Sequence, residues 1–327
     1  IQEGLVSSEI LKEILNECNA QGKHLGSTLL KKNIVSANRL AETLQKLEAG
    51  KSNSQRQPKE VAPFRFDVFP DVQSRIGNYE ILEKIAKGGM GVVYKAQDRE
   101  NGRLVALKVL LGGSFASASH VHRFLREAQA MSRLQHPNII PVYGMGKQEG
   151  LLYLAMKYIP GKTFEKSLSE NEPLEQKIKI LILIGQALSY AHKNNILHRD
   201  IKPSNILIDQ DGTPYLADFG LAKMLDSNSK VTQSGTTVGT PYYMSPEHTQ
   251  DVKRMDFRSD IYSMGVVLYQ TLSGKLPFFS DNVSRLFFLI HEKEAKIPED
   301  ADKSIPPRLW DVCFKAMQKL PKYRYAN

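Results

Sequence analysis

The sequence predicts an α+β chain in which a small helical domain precedes a larger unit of two lobes, the first rich in β-strands and the second helical. In the first part, apolar residues recur at the spacing of helices, and a polar, proline-bearing stretch separates this part from the rest. In the larger unit, β-rich segments come first and apolar helical segments follow, which is the order of an α+β fold. We therefore expect a helical domain at 1–49, a linker and strap at 50–75, and a bilobal domain at 76–327.

Residues 1–49 are predicted to form short helices. Ser8 and Ser36 stand where a helix cap is needed, and each precedes isoleucines and leucines that share one helix face. Residues 50–63 are polar and lack apolar periodicity, as linkers do, whereas the aromatic residues at 64–69 suggest a strap packed on a folded domain. Because residues 1–49 contain no catalytic constellation, we expect a docking or regulatory domain with a partner of its own.

The larger unit begins with three predicted strands, at 79–86, 92–100 and 103–110. The pair Asn101-Gly102 between the last two of these strands is a strong hairpin signal. Next we expect a helix, two strands and a buried helix, at 119–134, 139–145, 151–158 and 178–193. This order predicts two lobes with a cleft between them.

Composition places the chain among globular proteins and argues against several functions. It has 327 residues, of which 41% are hydrophobic and 24% charged. The net charge of +9 is typical of a solvated basic surface, so no nucleic-acid partner is expected. Cys18 and Cys313 stand far apart and form neither a zinc pattern nor a disulfide framework, which favours a reducing, cytoplasmic location.

No apolar run in the sequence reaches the ~18 residues that a membrane span needs. The chain begins without Met, and its last residues carry no cap signal. We therefore expect a piece of a longer protein, in which a membrane anchor could lie outside these residues.

A glycine-rich turn with the sequence AKGGMG occupies residues 86–91, between the first two strands. Glycines in such a turn let backbone N–H groups approach phosphate oxygens. Lys108 follows on an apolar strand, where its charge needs an anionic partner, and Glu127 in the next predicted helix is the candidate. Taken alone, each feature is weak, because hairpin glycines and helix-surface glutamates are common.

Two segments that each carry an aspartate complete a constellation for phosphoryl transfer. The stretch HRDIKPSNIL carries Asp200, Lys202 and Asn205, and the β-rich stretch YLAD further on ends at Asp218. Phosphoryl transfer needs a carboxylate to orient the attacking hydroxyl and oxygen ligands for Mg²⁺. These side chains supply both types of group in the expected order, and the complete set has a negligible chance of arising at random.

With these residues, the stretch 79–327 resembles the eukaryotic-type (Hanks-type) Ser/Thr protein kinase domain, which has a β-rich N-lobe and a helical C-lobe. The resemblance implies that Lys108 contacts the α- and β-phosphates of ATP and pairs with Glu127. It also implies a set of nucleotide-binding residues around the glycine-rich turn, the adenine slot and the hinge: Ile85, Ala86, Lys87, Gly88, Gly89, Met90, Gly91, Val93, Ala106, Lys108, Met156, Tyr158 and Leu207.

The same resemblance assigns roles to the residues of the segments that carry Asp200 and Asp218. Asp200 would orient the substrate hydroxyl and accept its proton, and Lys202 would steady the transferred phosphate. Asn205 and Asp218 would hold Mg²⁺, with Mn²⁺ as the alternative. The implied activity is that of a non-specific serine/threonine protein kinase that uses ATP.

Further matches imply protein substrates. The segment 239–247, GTPYYMSPE, resembles the substrate-docking loop and the Ala-Pro-Glu element of protein kinases. By this resemblance, Glu247 would pair with Arg324, and Asp260 in the central helix of the lower lobe would brace the catalytic loop. Small-molecule kinases of related fold typically lack this docking segment, which disfavours a small-molecule phosphotransferase.

The type of acceptor and the regulation are also implied. Lys202 and Thr240 favour Ser or Thr over Tyr as the acceptor, and the motifs KGGMGVVYKA and SNILID are similar to those of bacterial members. Arg199 precedes the catalytic aspartate, an arrangement that in kinases helps to bind a phosphate on the activation loop. The candidate phosphorylation sites are Thr232, Ser234, Thr236 and Thr237.

Three departures from the family pattern are visible. Ala86 replaces a glycine of the phosphate loop, and Lys157 replaces a common glutamate of the hinge. The chain stops where one further helix of the lower lobe is expected. In addition, residues 7–48 weakly resemble the N-terminal domain of type II secretion ATPases.

A pseudokinase that acts as a scaffold or binding module is the alternative to an active enzyme. Pseudokinases usually lack at least one member of the catalytic set, whereas this chain has Lys108, Glu127, Asp200, Asn205 and Asp218. The complete set therefore favours an active kinase.

Overall fold

The structure is a computed structural model, and it describes residues 75–88, 91–110, 125–126, 128–148, 151–170, 172–219, 241–250 and 255–326. The chain divides between Phe69 and Pro70 into two units, and all described residues belong to the second. The helices predicted within 1–49, the linker at 50–63 and the aromatic strap lie outside the described residues, so these predictions stay predictions.

The upper lobe is built on an antiparallel sheet of six strands, in the order β1-β2-β3-β4-β6-β5. Its strands are β1 (Arg75–Ile76), β2 (Tyr79–Gly88), β3 (Gly91–Asp98), β4 (Leu104–Leu110), β5 (Val142–Gln148) and β6 (Leu151–Lys157). The predicted turn at Asn101-Gly102 is confirmed, because the Gly102 N–H donates to the Asp98 carbonyl oxygen at 2.7 Å and closes the β3–β4 connection. Residues 125–126 and 128–132 are helical, within the range expected for the helix of this lobe.

The strand predicted at 139–145 begins later than expected. The structure places β5 at Val142–Gln148, while Ile139 forms an isolated parallel bridge with Leu216 of the lower lobe. Pro141 explains the difference, because it has no N–H to donate to a ladder. The residues before the proline therefore pair with the lower lobe, and those after it pair with the upper sheet.

The lower lobe is mainly helical, with a small sheet in the order β7-β8-β9 at its junction with the upper lobe. The strands of this sheet are β7 (Lys162–Thr163), β8 (Ile206–Ile208) and β9 (Pro214–Leu216). The helices are α1 (Phe164–Ser169), α2 (Leu174–Lys193), α3 (Pro246–Gln250), α4 (Phe257–Ser273), α5 (Val283–Glu292) and α6 (Pro307–Ala316). The buried helix predicted at 178–193 is confirmed as most of α2. Among the helices in the described ranges, none is both long and apolar enough to cross a membrane.

Local sequence explains where several of these helices begin. The side chain of Asp256 accepts a hydrogen bond from the Arg258 N–H and caps α4, and Asn282 caps α5 in the same way through Arg285. Helix α4 is central to the lower lobe, since most of its side chains are buried, Tyr262 and Val266 completely.

Two apolar clusters hold the described part together. One joins Leu110 and Met156 of the upper sheet to Ile184 of α2 and Ile206 of β8, so it crosses from one lobe to the other. The second packs α4, α5 and α6 around Tyr262. The first cluster therefore packs the upper sheet against α2 and β8 of the lower lobe.

Candidate active site

The loop after α2 and the segment after β9 meet at the junction of the lobes, because backbone hydrogen bonds join them. The Ala217 N–H donates to the Asn205 carbonyl oxygen at 2.9 Å, and His198 Nε2 lies 2.8 Å from the Ala217 carbonyl oxygen. A single 3₁₀ turn at Pro203–Asn205 then leads into β8. These contacts fix the segment that carries Asp200 beside the one that carries Asp218.

Two predicted site residues of the loop, Lys202 and Asn205, lie within hydrogen-bonding distance of a third, Asp200. Lys202 Nζ lies 3.1 Å from Oδ2 of Asp200. Asn205 Nδ2 donates to the same Oδ2 at 3.0 Å and to the Asp200 carbonyl oxygen at 2.7 Å. Asn205 is 5% exposed, whereas the side chains of Asp200 and Lys202 are each 20% exposed. The carboxylate of Asp200 is therefore held in place while remaining accessible from the cleft.

Lys108 reaches across the cleft from β4. Its Nζ donates to Oδ1 of Asp218 at 2.7 Å, and both side chains are partly exposed. Asp218 has a left-handed backbone conformation, with φ of 57°, which is rare for a residue other than glycine. The predicted partner of Lys108 was Glu127, which lies outside the described residues, so that pairing stays a prediction.

Asp260 in α4 braces the catalytic loop from below, as expected from the sequence. Its carboxylate accepts the backbone N–H groups of His198 and Arg199 at 2.8 and 2.7 Å, and His192 Nε2 lies 2.9 Å away. Burial alone would raise the pKa of Asp260, but the hydrogen bond from His192 and the neighbouring His198 outweigh burial and lower it. The ionised carboxylate can thus hold Arg199 in its left-handed conformation, with φ of 66°.

His198 is fully buried, and its partners determine its tautomer. Its Nδ1 accepts the Asp200 N–H at 3.2 Å, so Nε2 must carry the proton that is donated to the Ala217 carbonyl oxygen. Burial lowers the pKa of His198, which favours the neutral ring that this pattern requires. The ring also lies 4.5 Å from that of Phe219. His198 therefore links the catalytic loop to the segment around Asp218.

The residues predicted to enclose adenine come from both lobes. Ala106 of β4 and Met156 of β6 are directly opposed in the sheet register and are 9% and 5% exposed. Val93 and Leu207 are partly buried and pack against the same apolar cluster. Tyr158, also partly buried, follows β6 at the crossing between the lobes. The register thus places Ala106 beside Met156, and Val93, Tyr158 and Leu207 pack on the same cluster, while their contact with adenine stays a prediction.

The glycine-rich turn connects β2 and β3 as predicted, and Gly88 and Gly91 form the last pair of the β2–β3 register. A Cβ on Gly91 would lie 2.2 Å from the carbonyl oxygen of Val109, so only glycine fits against β4 there. Ile85 is 47% exposed, and Ala86 and Lys87 are exposed as well. Gly89 and Met90 at the tip lie outside the described residues.

The predicted pair of Glu247 and Arg324 is confirmed. Arg324 Nη1 and Nη2 lie 2.6 and 2.9 Å from the two carboxylate oxygens of Glu247. The remaining donors of Arg324 bind the carbonyl oxygens of Gln318, Lys319 and Arg258. Burial would raise the pKa of Glu247, but Arg324 overcomes this effect and lowers it to about 2. The ion pair ties the docking segment to the end of the described chain.

The donor set at the junction fits a hard divalent cation. Asp218 offers carboxylate oxygens, and Asn205 offers its amide oxygen because its nitrogen makes the two hydrogen bonds to Asp200. Within the described ranges, no group of three or more His, Cys, Asp and Glu side chains could hold a metal ion. A site of few protein oxygens suits Mg²⁺, which is usually bound by one or two carboxylates together with substrate phosphates and water.

Several functional features were not predicted from the sequence. The tautomer of His198 and the contact of His192 with Asp260 depend on segments distant in sequence, although two histidines close to Asp200 were a visible signal. The contact of Lys157 with Tyr215 was missed too. The phosphorylation candidates Thr232, Ser234, Thr236 and Thr237, and the acceptor-selecting Thr240, lie outside the described residues.

A β-rich lobe and a helical lobe that meet at Lys108, Asp200 and Asp218 define the class of nucleotide-dependent phosphotransferases. Residues 79–326 match the protein kinase domain, and the chain belongs to that family. Members of the family use ATP and a divalent metal ion and act on proteins.

Curated relatives are similar over the same region. A protein named probable serine/threonine-protein kinase from Clostridium perfringens is 38% identical over 253 residues, which cover 76% of this chain and 37% of the relative. The serine/threonine-protein kinase PrkC of Bacillus subtilis is 37% identical over 253 residues, 76% of this chain and 38% of PrkC. The serine/threonine-protein kinase PknD of Mycobacterium tuberculosis is 37% identical over 265 residues, 80% of this chain and 40% of PknD.

These matches confirm the expected Ser/Thr protein kinase domain of bacterial type and its bilobal fold. The chain spans 37% to 40% of the length of these three relatives. The resemblance of residues 7–48 to type II secretion ATPases stays a prediction.

Proposed function

We propose that the chain is an active, ATP-dependent protein kinase that transfers the γ-phosphate to Ser and Thr hydroxyls of protein substrates. The observation that carries this proposal is the arrangement at the lobe junction. Lys202 and Asn205 each lie within hydrogen-bonding distance of Asp200, and Lys108 Nζ lies 2.7 Å from Oδ1 of Asp218. The named relatives, all serine/threonine-protein kinases, support the choice of acceptor.

The chemistry assigned to the loop follows from its hydrogen bonds. Asp200 orients the acceptor hydroxyl and takes its proton as the oxygen attacks phosphorus. Asn205 keeps the carboxylate of Asp200 in one orientation, which lowers the entropy cost of alignment. Lys202, at 3.1 Å from Asp200, places a positive charge beside the transferred phosphoryl group.

We assign the divalent cation to Asn205 and Asp218, with Mg²⁺ as the first choice and Mn²⁺ as the alternative. When bound, the cation neutralises charge on the β- and γ-phosphates. Asp218 has a left-handed backbone conformation, and its carboxylate accepts a hydrogen bond from Lys108 at 2.7 Å. On nucleotide binding, Lys108 turns to the α- and β-phosphates and to the predicted partner Glu127.

Nucleotide binding is assigned to the slot and to the glycine-rich turn. Val93, Ala106 and Leu207 enclose adenine, and the backbone from Met156 to Tyr158 binds its polar edge. The turn from Ile85 to Gly91 covers the phosphates through backbone N–H groups. The close fit of Gly91 against Val109 supports this assignment, because it keeps the turn near the cleft.

Transfer of label from ATP tests the proposal. Purified protein incubated with labelled ATP and Mg²⁺ should phosphorylate Ser and Thr residues of a generic protein substrate. Lys108→Met and Asp218→Ala should lose most of this activity, and Asp218→Ala should also lose Mg²⁺-dependent ATP binding. Nucleotide binding without transfer by the wild-type chain would instead identify a pseudokinase scaffold.

We further propose that autophosphorylation of the activation loop raises activity. We assign the binding of this phosphate to Arg199, whose backbone N–H donates to Oδ1 of Asp260 at 2.7 Å beside Asp200. A phosphate brings about −1.5 to −2 charge and three acceptor oxygens, which form charge-assisted hydrogen bonds with arginine. Mass spectrometry after incubation with Mg·ATP should find phosphate on one or more of Thr232, Ser234, Thr236 and Thr237. Full activity without phosphate on these residues would contradict the switch.

Residues 1–49 are proposed to form a separate docking domain that recruits a protein partner, joined to the kinase by residues 50–75. We also propose a cytoplasmic location for the kinase domain, consistent with its use of ATP. A pull-down with residues 1–60 alone, compared with residues 76–327, would test whether the partner binds the first part.

A further inference from the structure

The side chain of Lys157, the last residue of β6, joins the two lobes. Its Nζ lies 2.7 Å from the hydroxyl oxygen of Tyr215 and 3.8 Å from Oδ2 of Asp209. The same nitrogen lies 4.2 Å from the centroid of the Tyr215 ring. Both partners belong to the hairpin of β8 and β9 in the lower lobe, whereas β6 belongs to the upper sheet. One side chain thus fastens the upper sheet to a single hairpin.

The backbone near this contact meets the same hairpin from two sides. Before β5, the Ile140 N–H donates to the Leu216 carbonyl oxygen at 3.0 Å. After the hinge, a Cβ on Gly161 would lie 1.9 Å from the carbonyl oxygen of Ile208, so the backbone of Gly161 packs directly on β8. The chain crosses between the lobes before β5 and again after β6, and both crossings contact β8 or β9, while Lys157 supplies a side-chain contact to the same hairpin.

The hairpin also carries the floor of the adenine slot. Leu207 of β8 and Tyr215 of β9 are directly opposed in the antiparallel register, so their side chains share one face of the small sheet. Lys157 follows Met156, whose Cα partner is Ala106. The contact between Lys157 and Tyr215 therefore joins the strand that carries Met156 to the hairpin that carries Leu207.

The charge of Lys157 suits this position. The hydrogen bond with Tyr215 raises the pKa of the Lys157 amine, and the carboxylate of Asp209 acts in the same direction, so the side chain is a cation at neutral pH. The common glutamate of the family would face Asp209 with like charge. A lysine in the hinge is thus matched by an acidic and a phenolic partner on the lower lobe.

We propose that Lys157 and Tyr215 form a clamp that fixes the spacing between the hinge strand and the β8–β9 hairpin, and thereby sets the affinity for nucleotide. The proposal rests on the proposed ATP-dependent function and names a device within its binding site. Lys157 is a positioning residue in this account, because its side chain acts through Tyr215 and Leu207 on the slot. Loss of the clamp lets the two walls of the slot separate.

Nucleotide binding by three variants tests the clamp. Lys157→Met and Tyr215→Phe should each weaken the binding of Mg·ATP, measured by calorimetry, roughly three- to tenfold, the effect of one hydrogen bond. The double variant should bind about as weakly as Lys157→Met, because Lys157→Met already removes the hydrogen bond that Tyr215→Phe removes. The KM for an acceptor peptide should not change, and Lys157→Arg should restore most of the affinity. Lys179→Met is the matched control, because it removes only the exposed pair with Glu175.

The outcomes separate the clamp from the proposed function. If the wild-type chain binds nucleotide and transfers phosphate while both single variants bind nucleotide equally well, the clamp is wrong and the function stands. If the effects of the two single variants add in the double variant, the clamp is also wrong. If the wild-type chain binds no nucleotide, both proposals fail.

Discussion

Removing the charge of Glu247 should destabilise the lower lobe by about 3 kcal/mol at neutral pH. The side chain of Arg324 is 0% exposed and that of Glu247 11% exposed. In Glu247→Gln the buried guanidinium keeps its carbonyl partners but loses its counter-charge, and breaking such a pair costs about 3–5 kcal/mol. The pKa of Glu247 gives a similar figure, because its fall from 4.5 to about 2 corresponds to roughly 3 kcal/mol.

The pH dependence of this effect has a defined sign. The folded-state pKa of Glu247 is lower than its unfolded value, so the stabilisation is complete above about pH 5 and is lost as the pH falls towards about 2. The difference in the free energy of unfolding between wild type and Glu247→Gln should therefore shrink from about 3 kcal/mol at pH 7 to about 2 kcal/mol near pH 3.5.

Urea denaturation followed by tryptophan fluorescence is the assay. The chain has one tryptophan, Trp310, and it is buried in α6 of the same lobe. The exposed pair of Glu175 and Lys179 provides a control, since Glu175→Gln should leave the unfolding midpoint unchanged within error. If the free energies of unfolding of wild type and Glu247→Gln differ by less than about 1 kcal/mol at pH 7, the reasoning is refuted. A difference between them that does not depend on pH would refute it as well.

Three further predictions concern Asp260 beneath the catalytic loop, Gly161 in the crossing after β6, and residues 1–60. Asp260→Asn should lower kcat by about tenfold or more, because it removes the charge that holds the N–H groups of His198 and Arg199. Steady-state kinetics on a peptide substrate measures kcat, and an unchanged value would contradict the role of Asp260. Gly161→Ala should destabilise the chain by about 1–3 kcal/mol, since the new Cβ meets a carbonyl oxygen of β8. Gly185→Ala in α2, where no atom would contact the new Cβ, should stabilise the chain by about 0.5–1 kcal/mol. Chemical denaturation of both variants measures the two effects, and the same sign for both would contradict this account. Deletion of residues 1–60 should leave activity on a generic peptide within a few-fold, and near-total loss would mean that this segment completes the kinase fold.

The contacts within the predicted catalytic loop are accessible from the sequence, because the residues that make them lie in one short segment with a visible local pattern. Asp200, Lys202 and Asn205 lie within a few residues of one another, so the loop geometry that joins them is local. The start of β5 was missed because a partner distant in sequence, Leu216, pairs with the residues before Pro141. Pattern reasoning finds periodicity but does not choose between two competing partners.

Contacts between distant segments explain the remaining differences. The tautomer of His198 depends on Ala217, and the role of Lys157 depends on Tyr215. The histidines near Asp200 and the unusual lysine in the hinge are visible in the sequence, but the groups that they contact are not. Their significance appears only once the fold brings the hinge, the catalytic loop and the β8–β9 hairpin together.

The most direct test of the central claim separates phosphoryl transfer from nucleotide binding in one variant. Asp200→Asn keeps the shape of the side chain at the position that Lys202 and Asn205 contact, but removes the proton acceptor. Calorimetry should show Mg·ATP affinity close to that of the wild type, while transfer of label to protein Ser and Thr should be lost. Wild-type turnover by purified Asp200→Asn protein would contradict the assignment of Asp200 and the mechanism built on it.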